Sequence, residues 1–200
     1  MTTAAKRNAL RRKLRAARRT LPPEIARRHA ADVARRFAAS KLALRGRRFA
    51  AYVASDGEID PAAIIDRLLV RRRTVTLPVV LRGRELCFYR YTPQTRMVRN
   101  RFGIPEPDTI AGAYVPTASL DVVLVPLVAF DADGHRLGRG GGFYDATFAR
   151  LSRRPLLVGL AHALQRVEAL GAGDWDVPLD AVVTENGLVP FTARGRTAAR

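Results

Sequence analysis

The sequence is poor in the residues that staple small proteins. It has one cysteine, Cys87, which excludes an internal disulfide, and three histidines. With so few thiols and imidazoles there is no Cys/His ligand cluster in the sequence, and residue supply excludes structural zinc. No stretch approaches the roughly 18 consecutive apolar residues of a membrane span. The basic N-terminal segment carries no apolar run of the secretory type. The expected chain is therefore cytoplasmic, with no membrane partner. Lysine is nearly absent as well: three stand against 32 arginines, and the acids number only 18.

What remains is an ordinary globular composition. With 200 residues, 48% hydrophobic and 26% charged, the chain can bury a proper core but has no room for a second full domain. One domain is expected over 1–191, with 192–200 as a disordered tail. The net charge of +17 suggests an anionic partner such as nucleic acid. Its distribution qualifies that reading. The first fifty residues carry 13 Arg and three Lys against Glu24 and Asp32, while the remainder is nearly balanced. A phosphate-binding surface can use either cation, so the preference for arginine over lysine reads as compositional habit on solvated faces.

Along the chain, Leu10, Leu14, Ala17 and Leu21 follow helical spacing and predict a helix over 4–20 with one narrow apolar stripe. Pro22-Pro23 ends it, and Ile25, His29, Val33 and Phe37 mark a second helix over 24–39, with His29 read as core-edge packing. From residue 48 the pattern becomes alternating α and β. Phe49–Val53, Thr74–Val80, Glu85–Tyr91, Asp121–Val125, Leu156–Leu160 and Ala181–Thr184 read as strands. Asp60-Pro61 opens a helix bearing Ile64, Ile65, Leu68 and Leu69, and a further helix is expected around Phe143–Leu151. Strands separated by helices predict a single-domain α/β sandwich with a mostly parallel central sheet and the N-terminal helices packed on it.

In such a sheet ligands bind beyond the carboxyl ends of the strands, which points to the loop after Val125. Residues 130–145 hold five glycines, Arg136, Arg139 and three aspartates just before a helix. Glycines let backbone amides turn inward on an anion, and the two arginines can neutralise phosphate charge. Asp145 can cap the helix or ligate the Mg²⁺ of a nucleotide. Neither Walker A nor a dinucleotide fingerprint is present, so a glycine-rich turn without chemistry is the bland alternative.

These residues also carry a resemblance. Val125-Pro126, Ala129-Phe130-Asp131, Gly134, Arg136-Leu137-Gly138 and Gly140-x-Gly142-x-Tyr144-Asp145 together resemble the signature of the 5-formyltetrahydrofolate cyclo-ligase (5,10-methenyltetrahydrofolate synthetase) family. Arg7-x-x-Leu10-Arg11 resembles its N-terminal basic motif, and Asp56-Gly57-Glu58-Ile59-Asp60 its acidic loop. Phe102 to Pro107 resembles the segment ahead of the central strand, and Gln165, Asp176 and Asp180 its C-terminal portion. The likeness spans about residues 6 to 185.

It implies a reaction of 5-formyltetrahydrofolate with ATP and Mg²⁺. ATP would be held by Arg7, Arg11, Arg136, Leu137, Gly138, Arg139, Gly140, Gly141, Gly142, Phe143 and Tyr144. Val53, Glu58, Arg139, Gly140, Gly141, Gly142 and Phe143 would meet the folate. Asp145 and Asp176 would hold the metal, and Arg136, Arg139 and Tyr144 would act in catalysis. The departures are Gly141 where some relatives have lysine, Phe143 for the first of two tyrosines, and Arg7 for lysine beside Lys6.

Each residue also has a plainer reading. Glu58 and Asp60 bracket a helix start, where carboxylates cap. Asp176 suits a turn, Trp175 a partly buried core position, and Arg7, Arg11, Arg15 and Arg18 form one solvated row. Two other classes compete, a basic nucleic-acid-binding protein and a sugar-phosphate isomerase or CoA transferase on a similar scaffold. Neither needs ATP. The expected partners are 5-formyltetrahydrofolate and MgATP, with no nucleic acid, and the expected state is a monomer.

Overall fold

The structure, a computed structural model, describes residues 3–81, 83–171, 173 and 176–199; Trp175 lies outside them. Three helices come first, α1 (Thr3–Arg19), α2 (Pro23–Ala39) and α3 (Lys41–Arg45), followed by β1 (Arg48–Ala50) and α4 (Ala62–Val70). Next are β2 (Thr74–Val80), β3 (Leu86–Tyr91), β4 (Met97–Arg99), β5 (Pro105–Pro107) and β6 (Tyr114–Val115). The second half runs through β7 (Val122–Pro126), β8 (Ala129–Phe130), β9 (Arg136–Leu137), α5 (Phe143–Phe148) and β10 (Leu156–Leu160). It closes with β11 (Ala181–Thr184), β12 (Gly187–Pro190) and α6 (Ala193–Ala199).

Eight strands form one sheet in the order β12-β11-β10-β7-β1-β2-β3-β6. The pairs from β11 across to β2 are parallel, and the outer strands β12, β3 and β6 are antiparallel. This is the α/β class with a mostly parallel sheet flanked by helices. The all-apolar run of β7 follows from its central place: Val122 and Leu124 enter the cluster under α2 and α4, while Val123 and Val125 enter the cluster that contains Phe148 of α5. A strand covered on both faces has no use for alternation with polar residues. From β1 the chain builds outward to β2, and later from β7 to β10 and β11. The strand order therefore reverses between β1 and β7, which opens a crevice at their carboxyl ends.

The helices dock by their apolar stripes. Val33, Ala34 and Phe37 of α2 and Ile64, Ile65 and Leu68 of α4 are buried on the sheet. Leu14 of α1 packs with Val128, Leu137 and Leu170 in a smaller cluster of its own. Asp60 Oδ1 accepts the Ala62 amide at 3.0 Å in a turn ahead of α4, whose N-cap is Pro61 rather than the expected Asp60 and carries no side-chain cap bond. No helix among the described residues is long and apolar enough to cross a membrane.

Three local features differ from the sequence expectation. β1 stops at Ala50, so Tyr52 and Val53 leave the sheet at the crevice, and α5 stops at Phe148 rather than Leu151. Residues 193–199, expected to be a disordered tail, form α6 instead. Ala198 is 3% exposed in the main core, and Thr192 Oγ1 accepts the Gly195 amide at 3.0 Å while donating to Asp180 Oδ1 at 2.7 Å. So short and arginine-bearing a helix has no periodicity to read; it is specified by the surface it covers. A Cβ added at Gly195 would lie 2.0 Å from the Asp180 carbonyl oxygen. Gly195→Ala is therefore expected to destabilise the fold by about 1–3 kcal/mol, bounded by the cost of undocking α6, and urea denaturation measures it.

Candidate active site

At the carboxyl ends of β1, β2 and β7 lies a cavity of about 380 Å³. Tyr52 and Val53 after β1, Pro78 and Val80 of β2 and Pro126 of β7 line its sheet side. The glycine-rich loop between β9 and α5 forms the opposite wall. Gly140 and Gly142 have φ of +111° and +67°, and a Cβ on Gly141 would fall 2.5 Å from the Phe143 ring. Side chains would strain this turn, so the glycines are required by backbone shape.

Arg136 anchors the loop from beneath. It is 5% exposed, and its guanidinium donates to the Val177 carbonyl and to Asp145 Oδ1. Asp145 Oδ1 also accepts the Val177 amide at 3.1 Å, which ties the start of α5 to the segment before β11. Arg7 of α1 donates to Asp176 Oδ2 from both terminal nitrogens at 3.0 Å, and the Gly173 amide donates to the same oxygen at 3.0 Å. Arg11 Nε donates to the Gly138 carbonyl at 2.9 Å. Thus α1, the glycine loop and residues 173–177 meet at one corner.

Across the cavity, Arg139 reaches the acidic loop. Its Nε donates to Glu58 Oε1 at 3.0 Å, and one terminal nitrogen donates to the Ser55 carbonyl at 2.9 Å and to Ser55 Oγ at 2.6 Å. Burial pushes the Glu58 carboxyl above its ordinary value, opposed by Arg139 and Arg18. Tyr144 is also raised, by burial and by Glu58, with Arg136 and Arg139 opposing. Its phenol stays protonated at neutral pH, with a proton to donate.

Behind this loop sits the largest surprise of the N-terminal helix. Arg18, read from the sequence as part of a solvated row, is 1% exposed. Its Nε donates to the Asp56 carbonyl at 2.6 Å, and its two terminal nitrogens to the Leu127 carbonyl at 3.0 Å and Asp56 Oδ2 at 2.8 Å. Glu58 Oε1 lies 3.7 Å away. Arg15 and Arg19 add to the same carboxylate, and the three guanidinium groups hold Asp56 down at about 2 despite its burial. An arginine row looks solvated from sequence because its partner lies some forty residues on, in a turn whose Asp56 and Gly57 both have positive φ.

The cavity collects Val53, Glu58, Arg136, Gly138, Arg139, Gly141, Gly142, Phe143, Tyr144 and Asp145. Arg7, Arg11, Gly140 and Asp176 border the glycine loop outside its lining. The Leu137 side chain does not reach the cavity, because it is fully buried against Leu14 and Val128 on the α1 side. Glu58 does not cap α4; it accepts the Ser55 amide at 3.1 Å. Gln165 and Asp180 are buried and structural: Gln165 Nε2 donates to the Leu127 and Val128 carbonyls, and Asp180 Oδ2 accepts the Leu157 amide. Sequence reasoning missed Ser55, Asn100 and Phe102 as wall residues. The Phe102 ring stands edge-on to Phe143 at 5.8 Å, a pairing that spans forty residues and has no local pattern.

Asp145 is paired with Arg136 and Asp176 with Arg7. In each, one oxygen is engaged, and the other, Asp145 Oδ2 or Asp176 Oδ1, accepts no hydrogen bond among the described residues. Their side chains are 28% and 21% exposed. Two reachable carboxylate oxygens are hard donors of the kind Mg²⁺ takes, so the residues fit that ion.

A crevice at the reversal of strand order, with one arginine beneath a glycine loop, a second within it and two carboxylates nearby, defines an α/β enzyme site suited to a phosphate-bearing ligand. The chain belongs to the 5-formyltetrahydrofolate cyclo-ligase family, whose model matches residues 3–185. It is 38% identical over 174 residues to the 5-formyltetrahydrofolate cyclo-ligase of Escherichia coli (strain K12), covering 86% of this chain and 96% of that one. Against the protein of the same name from Haemophilus influenzae the identity is 43% over 138 residues, covering 68% and 74%. The NMR structure of Aquifex aeolicus 5,10-methenyltetrahydrofolate synthetase superposes with a TM-score of 0.81 at 32% identity, covering 92% of each chain.

Proposed function

We propose that the protein is a 5-formyltetrahydrofolate cyclo-ligase, converting 5-formyltetrahydrofolate to 5,10-methenyltetrahydrofolate with ATP as co-substrate. The observation that carries this reading is the cavity itself: in a chain of this family, the acidic loop, Val53, the glycine loop, Arg136 and Arg139 converge at the sheet's switch point. In the reaction the formyl oxygen takes the γ-phosphoryl group of ATP, N10 attacks the activated carbon, and phosphate departs to leave the methenyl bridge.

The residues divide this work by chemistry. Arg136 and Arg139, with the amides of Gly138, Gly140, Gly141 and Gly142, stabilise the charge that builds on the phosphoryl group in transfer. Arg7 and Arg11 lie on the outer side of the same loop, placed for the remainder of the nucleotide. Val53 and Phe143 form apolar walls for the folate, and Glu58 accepts from the pterin N–H groups. Tyr144 contributes a hydroxyl donor. Asp145 and Asp176 would hold Mg²⁺, which when bound neutralises triphosphate charge. The proposed setting is cytoplasmic, with the chain working as a monomer on folate whose glutamate tail can be extended.

The direct test mixes purified protein, 5-formyltetrahydrofolate and MgATP and follows the near-ultraviolet absorbance of methenyltetrahydrofolate. Product formation that requires ATP is the expected result; its absence from acidic to neutral pH would overturn the reading.

Glu58→Gln separates binding from stability. Loss of a charged acceptor is expected to weaken folate binding by about 1.5–3 kcal/mol, or roughly 10- to 100-fold in KM. Because the folded-state pKa of Glu58 is raised, its ionisation costs stability, and that cost appears as pH rises from the unfolded value through the folded one. The variant is therefore expected to melt higher than the parent at neutral pH, with the difference vanishing below the ordinary glutamate range. Melting curves across pH measure this.

A further inference from the structure

On the side of the sheet covered by α2, two of the protein's three histidines meet a carboxylate. His29 of α2 and His162, just beyond β10, place their Nδ1 atoms 3.0 Å apart. Glu185, in the turn between β11 and β12, brings Oε1 to 3.6 Å from His29 Nδ1. One ligand atom from each of the three lies within 4.8 Å of the other two. Counting residues in the sequence could not anticipate this, since the three come from positions 29, 162 and 185. His29, read there as core-edge packing beside Asp32, finds its partners on other elements.

We infer that His29, His162 and Glu185 form a divalent transition-metal site of the zinc type, separate from the proposed active site. Two ligands on a tetrahedral ion at about 2.0–2.1 Å stand about 3.3 Å apart, close to the His–His and His–Glu separations found here. The second ring nitrogen of His162, Nε2, lies 3.2 Å from the Gly57 carbonyl, to which it donates. That bond fixes the tautomer, leaving the Nδ1 lone pair directed at the cluster, as ligating histidines commonly do. His162 is 1% exposed, so its ring is held in place by the surrounding core. The Ala163 amide donates to Glu185 Oε1 at 3.1 Å and Oε2 at 2.9 Å, which holds the carboxylate in place. His29 and Glu185 keep side-chain exposures of 14% and 13%, an opening through which an ion enters and a water completes four-coordination. Two imidazoles and one carboxylate suit zinc over magnesium or calcium.

The test uses the EDTA-stripped full chain, titrated with zinc chloride against a chromophoric chelator and with Co²⁺ as a spectroscopic probe. One ion per chain is expected, with visible Co²⁺ bands and a zinc-dependent rise in melting temperature. His29→Gln and Glu185→Gln should each lose the bands and the melting shift while keeping the parent far-ultraviolet circular dichroism. His135→Gln, which alters the other histidine–carboxylate group on Asp131 and Asp133, should keep both. Absence of one-equivalent binding, binding retained in either cluster variant, or loss in His135→Gln would overturn the site. Should His29→Gln fail to fold, Glu185→Gln decides alone.

Discussion

Arg136→Ala is expected to lower turnover by about 10²- to 10³-fold while changing folate affinity far less. The guanidinium lines the cavity beneath the glycine loop. There a fixed cation is worth more as phosphoryl charge develops than when the folate first binds, so its removal falls on kcat. The same change leaves Asp145 without its ion-pair partner in a partly covered position and the Val177 carbonyl without a donor. Some loss of stability accompanies it for that reason. Arg136→Lys restores charge without the fork that reaches both partners, so it should recover fold more fully than turnover. Steady-state kinetics with urea denaturation of all three forms checks the set. Unchanged turnover with weakened folate binding would refute the assigned role.

Arg18→Met carries the largest expected stability loss, about 3–5 kcal/mol. Methionine fills much of the volume, so the effect reports the lost charge and hydrogen bonds more than a cavity. Without the guanidinium, the Asp56 carbonyl loses its donor, the Leu127 carbonyl keeps only Gln165, and Glu58 loses its nearest buried cation. Arg15 and Arg19 still reach Asp56 from more exposed positions, which caps the damage at that carboxylate. Because the turn held by Arg18 carries Glu58, which lines the cavity and is the proposed pterin acceptor, KM should rise in the folded fraction. Arg18→Lys should recover the charge but not the three-way contact. Denaturation midpoints and KM together measure it; parent-like stability in Arg18→Met would show the buried network to be dispensable.

The parallel strands and the long helices were legible because their signals are local. An all-apolar run such as Val122–Val125 and an apolar repeat such as Val33 and Phe37 read the same in isolation as in the fold. The short strands β4, β5, β6, β8 and β9 were not, since two or three residues paired across a loop leave no period. α6 was missed for a similar reason: its identity as a helix depends on Asp180 and the core it covers. In the site, glycine spacing and the adjacent arginines were visible as a phosphate-type loop. The partners were not. Nothing in the sequence joins Arg139 to Glu58, Arg7 to Asp176 or Arg18 to Asp56, because each pair is made by topology.

Those pairings also revise the meaning of the charge. Arg7, Arg11, Arg15, Arg18 and Arg19, among the most basic part of the chain, are engaged by acids or carbonyls of the same molecule. A helix on which these five arginines already have partners within the molecule, though only Arg18 is fully buried, offers less to a polyanion than the count of +17 implied.

The Arg139–Glu58 contact has a last consequence. In the absence of ligand Arg139 Nε donates to Glu58 Oε1, so each group is already partnered. Under the proposed roles, a pterin that took Glu58 would free Arg139, and a phosphate that took Arg139 would free Glu58. One internal bond would then couple two ligands, each taking one of its partners, and linkage requires the coupling to be equal in both directions. The affinity of either ligand, measured with and without the other, reports its size.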